Sequence, residues 1–168
     1  MTFASRNATA KPELRRGEMR PRTLIGWNEY VNLPDWGVKR MRAKIDTGAR
    51  SSALHVENIR ALPRDRIKFD VVVHRNKRDR HISVIAKVAR RSRVKSSNGQ
   101  FEQRYFVTTL LQMGAIEKEI EFSLVDRGEM IHRMLLGRSA LAGDFIVDVS
   151  RRHVLNPKRK KITSKSRR

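Results

Sequence analysis

From Leu24 to Val149, apolar residues recur at every second position in short runs separated by turn signals. Only a β-sheet buries such runs along one face, because successive strand side chains point to opposite sides. Met41, Ala43 and Ile45 alternate with Arg42, Lys44 and Asp46, which predicts a half-buried strand running into Thr47-Gly48. Leu24 to Val31 reads as an earlier strand, ended by the Leu33-Pro34-Asp35 turn, and Leu54, Val56 and Ile59 begin a later one. Phe69 to Val73 and Ile82 to Val88 are apolar enough for core strands around the polar tip Arg75 to Asp79. Asn98-Gly99 signals a tight hairpin turn, and Tyr105 to Leu111 with Ile116 to Val125 reads as a second hairpin through Gly114. Ser139 to Ala142, starting near Arg138, is the one convincing helix, and Ile146 to Val149 is a closing strand. Many short strands with one short helix predict an all-β domain, either a closed barrel or a twisted two-layer fold.

Charge divides the 168 residues differently from hydropathy. Lys and Arg number 38 against 17 Asp and Glu, for a net charge of +21. Residues 1–22 carry +4 and residues 151–168 carry +9, nine basic residues with no acid. The sequence therefore predicts a basic N-terminal segment over 1–22, a β domain over 23–150 and a basic tail over 151–168. Within the domain, residues 39–104 hold 19 basic and 6 acidic residues, while 105–150 hold 4 and 7. Such polarity fits a partner rich in phosphate, such as RNA, DNA or a ribosome. It equally fits an acidic polypeptide, or a tail that only keeps the protein dissolved. With no Cys, thiolate zinc sites, disulfides, iron–sulfur clusters and thiol nucleophiles are excluded. No apolar run approaches the roughly 20 residues of a membrane span, and the first residues lack a signal-peptide core, so a cytoplasmic protein without a membrane partner is expected.

The sharpest chemical feature is Lys44-Ile45-Asp46-Thr47-Gly48-Ala49, a strand that ends in a carboxylate and turns at once through glycine. About 90 residues later comes Leu135-Leu136-Gly137-Arg138-Ser139-Ala140-Leu141, an apolar strand that opens a short helix. This ordered pair resembles the retropepsin-like aspartic proteases. The run Lys44 to His55, with Ile25-Gly26-Trp27, Leu33-Pro34, Val107 to Leu110 and Met134 to Asp144, is similar to a bacterial family labelled ATP-dependent zinc proteases, also described as retropepsin-like endopeptidases. The likeness covers roughly residues 24–150.

The resemblance implies a closed β-barrel of the retropepsin (acid protease) type, with its short helix near the C-terminal end. It implies catalysis through Asp46, Thr47 and Gly48, substrate contact at Ala49 and Arg50, and structural support from Gly137 and Arg138. Paired aspartates share a proton and activate a water in such enzymes. One Asp-Thr-Gly loop per chain then implies a homodimer with Asp46 from each protomer near the two-fold axis. The Thr47 hydroxyl is expected to hold the loop through a backbone bond. In retroviral relatives the residue after Asp-Thr-Gly-Ala is commonly acidic and pairs with the arginine that Arg138 matches. Here it is Arg50, so Arg138 is expected to find another carboxylate, Asp144 or Asp148, or the two loops sit differently. Arg50 itself faces either solvent or a substrate carboxylate. No His-Glu-x-x-His and no phosphate-binding loop occurs, and His55, His74, His81, His132 and His153 are scattered, so neither metal nor other cofactor is expected. The leading expectation is an aspartic endopeptidase for an acidic or disordered peptide. The alternative is a non-catalytic basic β-barrel binding RNA or a ribosomal surface.

Overall fold

The computed structural model describes residues 21–73, 81–95, 101–126, 128 and 131–156. The expected tip at Arg75 to Asp79, the Asn98-Gly99 turn and residues 1–20 and 157–168 lie outside the described residues.

Among the described residues, ten strands, one short α-helix and a 3-10 turn (Pro34–Trp36) follow as β1 (Thr23–Gly26), β2 (Asn28–Leu33), β3 (Val38–Ile45), β4 (Ser52–Leu62), β5 (Arg66–Val72), β6 (His81–Lys95), β7 (Phe101–Met113), β8 (Ile116–Val125), β9 (Met134–Leu136), α1 (Arg138–Leu141) and β10 (Phe145–Asp148). Eight strands form one sheet in the order β2-β3-β9-β4-β5-β6-β7-β8, with further pairings β2–β7 and β4–β8 that bring it nearly into a ring. The fold is thus all-β and barrel-like. Its core is filled by the inward members of each alternation, among them Met41, Leu54, Phe69, Leu111, Phe122, Met134 and Leu136.

Two departures from simple alternation matter. Leu24 to Val31 is not one strand: the chain breaks at Trp27, so β1 pairs in parallel with β10 while β2 pairs with β3. At the break, Gly26 approaches the carbonyl of Arg151 so closely that a Cβ would lie 2.3 Å from its oxygen, which only glycine permits.

The second departure is Glu29, a fully buried carboxylate on β2. Its Oε1 accepts the amides of Gly26 at 2.7 Å and Val154 at 2.8 Å, and its Oε2 accepts that of Leu155 at 3.4 Å. A buried carboxylate is tolerable when backbone donors replace its water. Trp27 donates to the Arg151 carbonyl at 2.9 Å, His153 donates its amide to Asn28 at 2.8 Å, and the His153 ring stacks on Tyr30 at 4.5 Å. Leu155 packs on the core. Residues 151–155, expected at the start of a basic tail, are therefore docked on the domain, whose edge lies beyond the expected residue 150.

Candidate active site

β3 delivers Asp46. Its inward residues Met41, Ala43 and Ile45 are buried and its outward residues Arg42 and Lys44 are exposed, so the strand's position is set by the core. β3 lies between β2 and the short parallel strand β9, with Ile45 opposite Leu136. The Asp46 amide donates to the Leu136 carbonyl at 2.9 Å, which extends the ladder one residue past the strand. There the chain turns. Asp46 Oδ1 accepts the amides of Gly48 and Ala49, both at 3.1 Å, so the carboxylate organises its own loop. Asp46 is half-buried, and Thr47, Gly48 and Arg50 are exposed.

The Gly137-Arg138 corner clamps this loop from beneath. The amides of Arg138 and Ser139 donate to the carbonyls of Ala49 and Arg50 at 2.9 and 3.0 Å. The Arg138 guanidinium donates through Nη1 to the carbonyls of Thr47 at 3.0 Å and Gly48 at 2.8 Å. Gly137 has no room for a side chain, since a Cβ would lie 2.5 Å from the Ser51 carbonyl oxygen, and its amide donates to Ser52 Oγ at 3.2 Å. Ser52 is buried, and its carbonyl accepts the Ser123 hydroxyl at 3.3 Å, tying the loop's far end to β8.

The structure corrects two expectations. Arg138 takes neither Asp144 nor Asp148: Asp144 pairs with Lys118 at 2.6 Å, and Asp148 accepts the Ser150 hydroxyl at 2.6 Å. Backbone carbonyls take the place of a carboxylate, and Arg50 leaves the clamp intact because its side chain stays exposed while its carbonyl joins it. The Thr47 hydroxyl makes no hydrogen bond among the described residues; Asp46 and Arg138 hold the loop instead. Ser52 was not singled out from the sequence as a support residue, and its only signal was the small polar pair Ser51-Ser52 ahead of an apolar strand. Arg138→Gln should therefore cost about 1 kcal/mol, the scale of a net hydrogen bond at an exposed site. It should also raise the hydrogen-exchange rates of the Gly48 and Ala49 amides, and unchanged exchange would remove the clamp.

Histidines behave structurally. His55 is fully buried on β4, donates its amide to the Arg133 carbonyl at 2.8 Å, and places Nε2 3.6 Å from Glu57, which His81 approaches at 3.7 Å. Burial, with the Arg133 charge second, holds the His55 pKa below the ordinary imidazole range. Burial also lowers that of His132, helped by Lys44 and Arg42. Among the described residues no three His, Asp or Glu side chains converge as a metal would require, so these residues do not fit a zinc centre. A lowered histidine pKa favours the neutral ring in the folded state. Its stability contribution is complete above the unfolded value of about 6.5 and is lost as pH falls below it, by at most about 1.4 kcal/mol per pH unit and group. The urea midpoint should fall between pH 7.5 and 5.5, and His55→Gln should reduce that fall; an equal fall in the variant would acquit His55.

A strand-ended Asp-Thr-Gly loop, clamped by a glycine-arginine corner on a nearly closed all-β sheet, defines the retropepsin-like class of domain. Residues 24–158 match the RimB-like family, described as retropepsin-like aspartic endopeptidase RimB, and the chain belongs to that family. It is similar to proteins named "Probable alpha-L-glutamate ligase" from Shewanella pealeana, at 36% identity over 138 residues, and Shewanella halifaxensis, at 37% over 130. These matches cover 80% and 76% of this chain but 30% and 28% of the relatives, so the chain spans under a third of their length. In fold it is similar to a Legionella pneumophila protein of unknown function, with a TM-score of 0.67 and 22% identity, covering 80% of this chain and 99% of that one. Among the described residues no helix is long and apolar enough to cross a membrane.

Proposed function

We propose that this chain is an aspartic endopeptidase acting in the cytoplasm as a homodimer on acidic, glutamate-rich peptide segments. The observation that carries the reading is the Asp46 loop itself: a carboxylate fixed by two amides, its loop clamped by the Gly137-Arg138 corner, and its outer side, Thr47 and Gly48, open. A Cβ placed on Gly48 would meet, among the described residues, nothing closer than the Asp46 carboxylate at an ordinary 3.4 Å, so the space a side chain would fill is free for a partner loop or a substrate.

A two-fold axis beside the loop would supply the second carboxylate. Two aspartates at close range share one proton, because both cannot ionise comfortably. The ionised member takes a proton from a water as its oxygen attacks the peptide carbonyl, and the protonated member donates to the carbonyl oxygen. As the C–N bond breaks, the first carboxyl gives its proton to the amide nitrogen and the second regains one from a hydroxyl of the tetrahedral diol, which becomes the product's carboxyl group, so the pair returns to its starting state. The substrate class is supported by the basic stretch over 39–104, and by similarity to part of longer proteins named probable alpha-L-glutamate ligase.

The test is mass-spectrometric cleavage of a ten-residue glutamate peptide and of a neutral peptide from pH 4 to 7.5, over a dilution series. Specific activity should fall on dilution in step with the dimer fraction measured by sedimentation. Activity that is independent of dilution below the point of dissociation would overturn the shared site, and no cleavage of any peptide would overturn the peptidase.

A further inference from the structure

We infer that residues 91–95 of β6 and 101–105 of β7 form a docking strip that captures an extended acidic polypeptide by strand addition, apart from the Asp46 loop. The inference takes its occupant from the substrate class proposed above. β6 shifts register between Val88 and Arg90, and this bulge carries the strand from its pairing with β5 to its pairing with β7. The β5–β6 ladder ends at the Arg66–Lys87 pair, with one further bond from the Val88 amide to the Asp65 carbonyl at 2.8 Å, and the β7–β8 ladder ends at Ser123 opposite Phe106. Beyond those pairs, among the described residues, the hairpin is a two-stranded ribbon with an open edge on each side, and open edges offer unpaired amides and carbonyls to an incoming chain.

One face of the ribbon is built for carboxylates. Arg91 and Arg93 stand two residues apart, opposite Tyr105 and Gln103, with Phe101 two residues further on the same face. The Arg93 guanidinium lies 5.3 Å from the Phe101 ring centre, and that of Arg91 5.8 Å from Tyr105. Both cations lie within cation–π range of a ring on their own face, so a carboxylate on an incoming strand would meet two guanidinium groups side by side. Phe101 is 63% exposed, so it also offers apolar surface beside the charge. Arg91 has one partner, Asp65, whose side chain is 72% exposed; such an ion pair is weak and exchangeable. Arg93 makes no ion pair among the described residues. Arg90 differs, being held by Glu121 at 2.7 Å and by the Phe106 ring at 3.4 Å, and is not counted in the strip.

Chemistry selects the occupant. Nucleic acid bases bind by stacking and phosphate contact and would leave the open strand edges unpaired. A second copy of the same edge would oppose arginine to arginine. An extended chain bearing carboxylates satisfies both the open backbone edge and the cations.

The full chain carrying Asp46→Asn, which should not cleave, should bind a labelled ten-residue glutamate peptide in an anisotropy titration. Arg91→Gln/Arg93→Gln should weaken binding about tenfold, the scale of one or two charge-assisted contacts. Lys39→Gln/Arg60→Gln, which removes the same charge elsewhere, should change it less than twofold. A peptide N-methylated at alternate residues loses strand hydrogen bonds and should also bind about tenfold more weakly, a result independent of how the variants fold. Equal losses in the two protein variants, or unchanged binding of the N-methylated peptide, would overturn the strip. So would a ten-nucleotide RNA whose binding depends on Arg91 and Arg93 while the glutamate peptide's does not. If the unsubstituted chain cuts no peptide but this binding pattern holds, the peptidase reading falls and the docking strip stands.

Discussion

Asp46→Asn should reduce peptide hydrolysis by about a hundred- to ten-thousand-fold while leaving a folded domain. The loss follows from the proposed chemistry, in which one carboxyl of the pair takes a proton from water and the other gives one, a role an amide cannot fill. The fold should survive because the loop uses Asp46 only as an acceptor, through Oδ1 to the amides of Gly48 and Ala49. An asparagine oxygen accepts the same two bonds, weaker by about 1 kcal/mol for the lost charge. Paired measurements decide it: initial rates on a glutamate-rich peptide and a thermal melt of the same preparation. Retained turnover would end the aspartic mechanism, whereas a collapsed melt would show that the carboxylate's first duty is architectural.

The second large effect lies on β2, the strand paired with the one that delivers Asp46. A chain ending at Ser150 should lose about 3–5 kcal/mol, much of a typical domain's stability, because it strips the Val154 and Leu155 amides from the buried Glu29 carboxylate. It also removes Leu155, which lies 3.2 Å from the position a Cβ would take on Gly114. A chain ending at Asn156 keeps every one of these contacts and should melt well above it. Glu29→Ala in the full chain should reproduce most of the loss, since it leaves three backbone amides without their acceptor. Urea denaturation of the three chains is the measurement. If the two truncations had equal midpoints, the Glu29 anchor would carry no weight.

Residues explain which parts of this arrangement were legible beforehand. The β3 turn was readable because its alternation, its carboxylate and its glycine are consecutive, and the Leu-Leu-Gly-Arg corner because it repeats a strand-to-helix pattern. The clamp's chemistry was not, because Arg138 bonds to carbonyl oxygens, which every residue owns and no letter announces. The docking of residues 151–155 was hidden for another reason. Arg151, Arg152 and His153 read as solvated charge, and their anchor is a buried acid more than 120 positions earlier, on the short strand β2. The apolar reading of β6 stopped at Val88, since strand propensity alone does not expect three arginines in a ribbon whose rings shelter their guanidinium groups.

The parallel pairing of β1 with β10 bears on the order in which the molecule comes into being. Thr23 to Gly26 has no sheet partner until Phe145 to Asp148 exists, and Asp46 has no anchor until Leu136 does. A ribosome adding about 5–20 residues per second needs roughly 5–20 s to travel from Asp46 to β10. Throughout that interval the Asp-Thr-Gly segment is present as covalent sequence but has no floor to stand on. Under the peptidase reading, a nascent chain is thereby harmless to itself and to its neighbours, for the scissors are riveted only after nearly all the blade has been forged.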